Sequence, residues 1–402
     1  MPPPPDVGPS RRNNLGGLEL ATDLTYIVAT VASPTTLDTN TNNSSARLIA
    51  SGKSAAIHKD LFSIYIKNWR ENLLKTISSE LVYHLTHIMI KLFDSHCHLQ
   101  DPRIFNVAPK LIREAIDTGV IHFAVNGVSE KDWHLVKEMS DSYPCVVPNF
   151  GLHPWFISDR TGNWLNTLKK FLEATPSAAV GEIGLDKGSI GRQIDFTAQV
   201  EIFREQLQLA KKLKRPASVH CVRAFGDLLE IMKSTGPFPA GVVLHSYMGS
   251  AEMVPELSRL GAYFSFSGFL MSMKESKAKK MLKSIPPEKI LLETDAPDAL
   301  PKASKSDSLI LIERKVSVAE ELLDCGENSP SNNDNAADNT CHDESGASEL
   351  PEVNLNHPAN IHHVLAYTAN LLEMSKEQLA DVTYRNAVRL FSYEGSKLLQ
   401  EA

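Results

Sequence analysis

The sequence predicts an α/β protein built as a (β/α)8 TIM barrel. Three observations carry this: eight short apolar runs of β type between residues 91 and 295, helix-like segments between consecutive runs, and ligand-type residues at the ends of five of them. Strands alternating with helices imply a parallel sheet, and eight such units imply its closure into a barrel.

The runs are KLFDS (91–95), VIHFAV (120–125), CVVPNFG (145–151), AAVGEIG (178–184), ASVHCV (217–222), GVVLHSY (241–247), AYFSFSG (262–268) and KILLETD (289–295). The segments between them carry helix punctuation. VAPKLIREAIDT (107–118) ends at Gly119, a C′ glycine. Ser129 is placed to cap the second helix. Residues 197–214 form a long helix with Ile202, Phe203, Leu207, Ala210 and Leu213 on one side. Ser250 precedes AEMVPELSRL, which stops at Gly261, and Ser375 with Gln378 reads as a capping box opening a last helix near 376–391.

Outside the barrel, composition changes. Residues 1–58 begin MPPPPDVGP and stay rich in Ser, Thr, Asn and Pro, so they are expected to be a disordered extension. Residues 59–90 have amphipathic periodicity and are expected to be a helical extension on the barrel's base. The barrel spans 91–301. A low-complexity acidic insertion, expected to be disordered, covers 302–352 after strand eight, and helices closing the barrel fill 353–402.

The 402-residue chain is 42% hydrophobic and 22% charged, an ordinary globular composition. No stretch approaches the roughly 18 consecutive apolar residues of a membrane span, so no membrane partner is expected. Cys97, Cys145, Cys221, Cys325 and Cys341 include no CxxC pair and are odd in number, which fits a reduced compartment, cytoplasmic or nuclear. An organelle-targeting role for the N-terminal segment stays open, although Asp6, Glu19, Asp23 and Asp38 make it more acidic than such peptides usually are. The net charge is −7, and residues 324–349 alone hold seven Asp or Glu with no Lys or Arg. The remaining body is neutral, which argues against tight, salt-driven binding to a duplex. Nothing in the pattern identifies a protein partner.

Active sites of such barrels lie at the C-terminal ends of the strands. His96 and His98 end run one, and their two-residue spacing on extended backbone puts both on one face. Glu182 ends run four, His220 run five, His245 run six and Asp295 run eight. A lone buried histidine is usually a hydrogen-bonded core residue, but six ligand types converging on one rim would be costly to bury without a cation. Imidazole and carboxylate suit zinc or manganese, and the oxygens suit magnesium. Six ligands fit two divalent ions: His96, His98 and Asp295 for the first, His220 and His245 for the second, and Glu182 bridging both.

FDSHCHL, GLHPW, GEIGLD, VHC, LHS and LLETDAP resemble, in order, the signature segments of TatD-type deoxyribonucleases. The resemblance covers about 91–301 and resumes near 356–392, in NHPANI and NAVRLF. It implies a TIM barrel, two divalent metals, and hydrolysis of DNA, typically from an end, with the ligand roles given above. It also implies His153, in GLHPW, as a hydrogen-bond donor to phosphate, and Arg223, three residues after His220, as a guanidinium fork onto phosphate. Their structural alternatives are a loop histidine packed beside Pro154 and Trp155, and a surface ion pair. Two departures stand out. Asp186 is followed by Lys187 and Gly188 where the family commonly has an aromatic pair, and Asn356, His357 and Pro358 stand where it has Asn-Glu-Pro.

The expected reaction is attack by a metal-activated water, with Asp295 as general base and Glu182 supporting both ions. DNA would be held by weak, local phosphate contacts. The same dimetal scaffold could instead hydrolyse a cyclic amide, ester or lactone, although that class typically bridges its metals with a modified Lys. A non-catalytic partner-binding protein on a vestigial barrel is the remaining alternative.

Overall fold

A computed structural model describes residues 90–302, 308–314 and 353–399. The expected extensions at 1–58 and 59–90 lie outside the described residues, apart from Ile90, as does most of the 302–352 insertion.

All eight runs are strands: β1 (Leu92–Cys97), β2 (Val120–Gly127), β3 (Val146–Phe150), β4 (Ala179–Asp186), β5 (Ala217–Val222), β6 (Val242–Leu244), β7 (Ala262–Phe266) and β8 (Ile290–Leu292). They pair in sequence order, each parallel to the next. Helices α1 (Ala108–Asp117), α2 (Trp133–Ser142), α3 (Trp164–Ala174), α4 (Phe196–Leu213), α5 (Phe225–Thr235), α6 (Val254–Arg259) and α7 (Glu275–Ser284) make the seven crossovers. Two more, α8 (Ile361–Leu372) and α9 (Lys376–Phe391), follow the insertion.

Local chemistry sets most of the helix ends. Gly119 and Gly261 sit at φ 96° and 106° just past α1 and α6, a region that favours glycine. Ser375 and Gln378 form the full capping box of α9. Ser129 does not cap α2. Asp132 occupies that position, and its carboxylate accepts the backbone N–H groups of Val128 and Ser129, which the short sequence pattern does not distinguish from a serine cap.

The insertion was expected to lack structure throughout, and this needs correction. Within it, β9 (Leu311–Arg314) pairs antiparallel with β10 (Val353–Asn356), so a backbone ladder brings its flanks together. At the barrel's N-terminal end, Phe93, Ala124, Val147, Ala179, Val243, Tyr263 and Leu291 form an inner layer with Val388, Phe391 and Leu398. The chain's own C-terminal segment therefore closes the base, with Phe391 stacked on Phe93 at 5.3 Å.

The seam between β8 and β1 is tied by individual bonds. Asp94, fully buried, accepts the Thr294 backbone N–H at 2.8 Å and its hydroxyl at 2.5 Å. Ser95 Oγ donates to the Leu292 carbonyl, Asp295 N to His96 O, and His98 N to Ala296 O. Two of these bonds are made by His96, His98 and Asp295 themselves, so the seam also sets the site. Asp94→Ala leaves both Thr294 donors without an acceptor and is expected to lower stability by about 3 kcal/mol. A denaturant midpoint within error of wild type would show that the seam does not depend on this carboxylate.

Candidate metal centre

Five strands deliver the predicted ligands to one rim. His96 is in β1, and His98 follows its end. Glu182 is within β4, His220 within β5, His245 one residue after β6, and Asp295 three after β8. Strand β4 can bring Glu182 inward because it runs very close to β5. A Cβ on Gly184 would stand 2.0 Å from the His220 carbonyl oxygen, and one on Gly181 would stand 2.8 Å from Ser218 Cβ. The GEIG segment is thus two glycines making room around one acid.

The Glu182 carboxylate is nearly inaccessible and faces two ways. Oε2 lies 3.5 Å from His96 Nε2 and 3.3 Å from His98 Nε2. Oε1 lies 3.1 Å from His220 Nδ1, 2.8 Å from His245 Nε2 and 3.5 Å from His153 Nε2. Asp295 Oδ1 completes the first side, 3.7 and 3.6 Å from the same His96 and His98 nitrogens. The structure therefore brings all six expected ligands together, as two groups sharing Glu182.

Partners on the outer side of the rings decide what the inner nitrogens can do. His98 Nδ1 meets the Asn126 carbonyl at 2.8 Å, and His220 Nε2 meets Asp186 Oδ2 at 3.3 Å. Both partners only accept, so these ring nitrogens carry hydrogen. In the neutral ring the opposite nitrogen, turned towards Glu182, is bare. His245 turns its Nε2 towards Glu182, and its Nδ1 faces Glu293 Oε1 at 3.6 Å, beyond hydrogen-bond length. His96 and His98 point their Nε2 atoms at each other across 3.2 Å, and His220 Nδ1 faces His245 Nε2 across 3.1 Å. Lone pairs so close to each other and to a carboxylate need a proton or a cation among them. An outer acceptor fixing a ring whose inner nitrogen is bare is the usual support of a metal-binding histidine. The donor set fits divalent ions.

His153 differs. Its Nδ1 accepts the Trp155 backbone N–H, so Nε2 carries the hydrogen in the neutral ring and points it at Glu182. It joins the cluster as a donor, more than the expected packing against Pro154 and Trp155 alone would make it. Arg223 is exposed on the turn after β5 at φ 54° and forms no ion pair among the described residues, so the surface ion pair considered for it is not formed. His357 is held in the loop, accepting the Ala359 N–H and lying 3.3 Å from Glu114.

Sequence reasoning missed the orienting groups. Asp186 binds His220, the Trp155 indole and the Gly188 N–H. Glu293, fully buried, accepts the backbone and hydroxyl groups of Ser246 beside His245. Ser218 meets His96 Nδ1 at 2.8 Å. Neither acid had a local signal, since the groups they hold belong to other strands and loops.

Charge follows this geometry. Burial pushes the Glu182 carboxyl up, but His153, His245 and His96 around it outweigh burial and hold it well below the usual carboxylate range. Asp295 is lowered in the same way, burial being outweighed by its bond to His98 and by His245 and His96. Burial favours neutral imidazole, yet Asp295 and Glu182 raise His98 well above its ordinary value, Glu182 does the same for His245, and Asp186 with Glu182 raises His220. Burial prevails at His96, and more strongly at His153, both of which are lowered.

Comparison with known proteins places this geometry. A family model described as TatD related DNase matches residues 93–392. The chain is 27% identical over 300 residues to an uncharacterized metal-dependent hydrolase, YabD, of Bacillus subtilis, a match covering 75% of this chain and 98% of that protein. A Pantoea vagans protein named 3'-5' ssDNA/RNA exonuclease TatD is 26% identical over 214 residues, 52% of this chain and 81% of its own length. Among solved structures, YJJV, a TatD homolog from Escherichia coli, superposes with a TM-score of 0.59 at 22% identity, covering 76% of this chain and 99% of that one. An uncharacterized amidohydrolase from Saccharomyces cerevisiae gives 0.57 at 21% identity, covering 75% and 99%. At such identities the structures share the fold.

The proton affinities of His98, His220 and His245 are raised, so protons compete with a cation for these rings. Cation binding must displace those protons, while Glu182 and Asp295, already ionised, release none. Titration calorimetry in buffers of different ionisation enthalpy is expected to show net proton release at neutral pH, with affinity falling as pH is lowered. Binding without proton release would mean that the imidazoles do not face the ion.

Proposed function

This chain belongs to the TatD-related family of metal-dependent hydrolases, and from that premise we propose that it cuts phosphodiester bonds of DNA as an exonuclease using two divalent cations. The observation that carries the reading is the two-faced Glu182 carboxylate, with one imidazole pair on each oxygen. His96, His98 and Asp295 would hold one ion, His220 and His245 the other, and Glu182 both; magnesium, manganese and zinc all suit these donors. The ions supply a water acidified towards neutrality and charge stabilisation at phosphorus.

The remaining work falls to side chains. Asp295, ionised and anchored by its own backbone bond to His96, orients the attacking water and accepts its proton. His153 donates its Nε2 hydrogen to a phosphate oxygen. Arg223, exposed beside β5, forks onto a neighbouring phosphate. In-line attack forms the new P–O bond as the bond to the 3′ oxygen of the penultimate nucleotide breaks. A carboxylate at the bridging position, with an N–H donor beside it, supports a phosphodiester over a cyclic amide or lactone.

The test is hydrolysis of end-labelled single- and double-stranded DNA with magnesium, manganese or zinc, beside a cyclic-amide panel. Stepwise shortening of DNA is expected, and Glu182→Gln is expected to lower turnover at least about a hundredfold while the protein stays folded. Turnover of the amide panel alone would overturn the nuclease reading, and near-wild-type activity of the variant would remove the bridging role.

A further inference from the structure

Trp155 is the part of this site that packing does not explain. Indole is the side chain with most to gain from burial, yet Trp155 is 37% exposed. It is nonetheless fixed. Nε1–H donates to Asp186 Oδ2 at 2.5 Å, the same oxygen that meets His220 Nε2. Its ring meets His153 edge-on, centroids 4.9 Å apart, and lies 6.1 Å from that of His220. A rigid, solvent-facing aromatic ring thus stands one carboxylate away from His220, the ring whose other nitrogen is turned towards Glu182. It has little rotamer freedom left to lose when a flat ligand settles on it.

Asp186 is also one wall of a cavity of about 500 Å³, lined further by Lys187, Arg192, Gln193 and Phe196. The acids around this cavity are engaged: Asp186 Oδ1 accepts the Gly188 N–H, and Asp195 caps α4 by accepting from Thr197 and Ala198. Lys187 is tied to Asp227 at 2.6 Å and rests over the Phe196 ring at 4.1 Å. Arg192 uses only Nε, on the Gly188 carbonyl, and has no acidic partner among the described residues. This is the loop where Lys187 and Gly188 replace the aromatic pair that the family resemblance leads one to expect. The aromatic surface is instead on the neighbouring β3 loop, and the loop after β4 supplies a free guanidinium.

We propose that Trp155 and Arg192 form a nucleotide subsite beside the metal centre, Trp155 stacking on a base and Arg192 holding an adjoining phosphate. Stacking on an aromatic ring joined to a cationic contact is how proteins grip unpaired strands without reading their sequence. A paired base inside a duplex has both faces covered by its neighbours, so this subsite takes single-stranded nucleic acid. A neutral protein body does not impede it, because the grip is local. The inference rests on the phosphodiesterase reading and specifies its substrate.

Binding and cleavage separate the two. With EDTA present to prevent cleavage, binding of a fluorescently labelled single-stranded oligonucleotide is measured by anisotropy, against an abasic phosphodiester strand of equal length. Trp155→Phe and Trp155→Ala both lose the bond to Asp186, and only the second loses the ring. Trp155→Ala is expected to weaken oligonucleotide binding about tenfold and Trp155→Phe no more than about threefold, with the abasic strand bound weakly and alike by all three proteins. Arg192→Ala is expected to reduce the salt dependence by about one charge. Equal losses in the Phe and Ala variants, or no preference of the wild type for bases over the abasic strand, would overturn the subsite. A strand bound through Trp155 but never cut with any divalent ion would instead overturn the nuclease reading and leave the subsite standing.

Discussion

A carboxylate buried as deeply as that of Glu182 is unfavourable unless positive charge surrounds it, and most of the barrel's rim is arranged to meet that requirement. Five imidazoles converge on its two oxygens, from β1 and the residue just after it, from β5, and from the segments following β3 and β6. No local segment could assemble such a ring, because its members are scattered from residue 96 to residue 245. A closed parallel sheet can, since each strand ends at the same rim and needs to contribute only one or two side chains. The glycines on either side of Glu182 are the local cost of bringing it to the centre.

The histidines are sorted by what stands behind them. His98 and His220 have acceptors at their outer nitrogens, so in the neutral ring their inner nitrogens are bare, and His245 has an acid on its outer side. His153 has a donor behind it, the Trp155 backbone N–H, and therefore turns a hydrogen inward. Rings of the same chemistry thus divide into His98 and His220, which can give a lone pair to a cation, and His153, which can give a hydrogen bond. Residue type could not distinguish them; the outer partner does.

That distinction marks how far the sequence could be read. The eight apolar runs were legible because each is short, β-rich and bounded by turn residues, and the capping box at Ser375 because its two members lie three apart. The ligands were legible as polar residues ending apolar runs, where burial would otherwise be unfavourable. The seam was not: Asp94 and Thr294 are 200 residues apart, and an aspartate before His96 reads equally well as a ligand or a cap. Nor were the orienting roles of Asp186 and Glu293, since partners 34 and 47 residues away give no local signal. The β9–β10 ladder escaped notice because its strands flank a tract whose composition pointed the other way. Arg223 follows His220 by three residues, but its exposure depends on a left-handed turn that its neighbours do not announce.

The division of labour between strands and loops explains why one scaffold can serve more than one chemistry. Glu182 and Asp295, with His96, His98, His220 and His245, lie in or beside the strands, and backbone bonds across the seam hold His96, His98 and Asp295. They can activate water against phosphorus or carbon alike. The loops after β3 and β4, which carry His153, Trp155, Lys187 and Arg192, lie outside this strand-held set. Asp186 joins the two levels, since one oxygen serves both the His220 ring and the Trp155 indole. One carboxylate thus ties the loop that carries Trp155 to a ring that faces Glu182, so the loop and the strand are held by the same group.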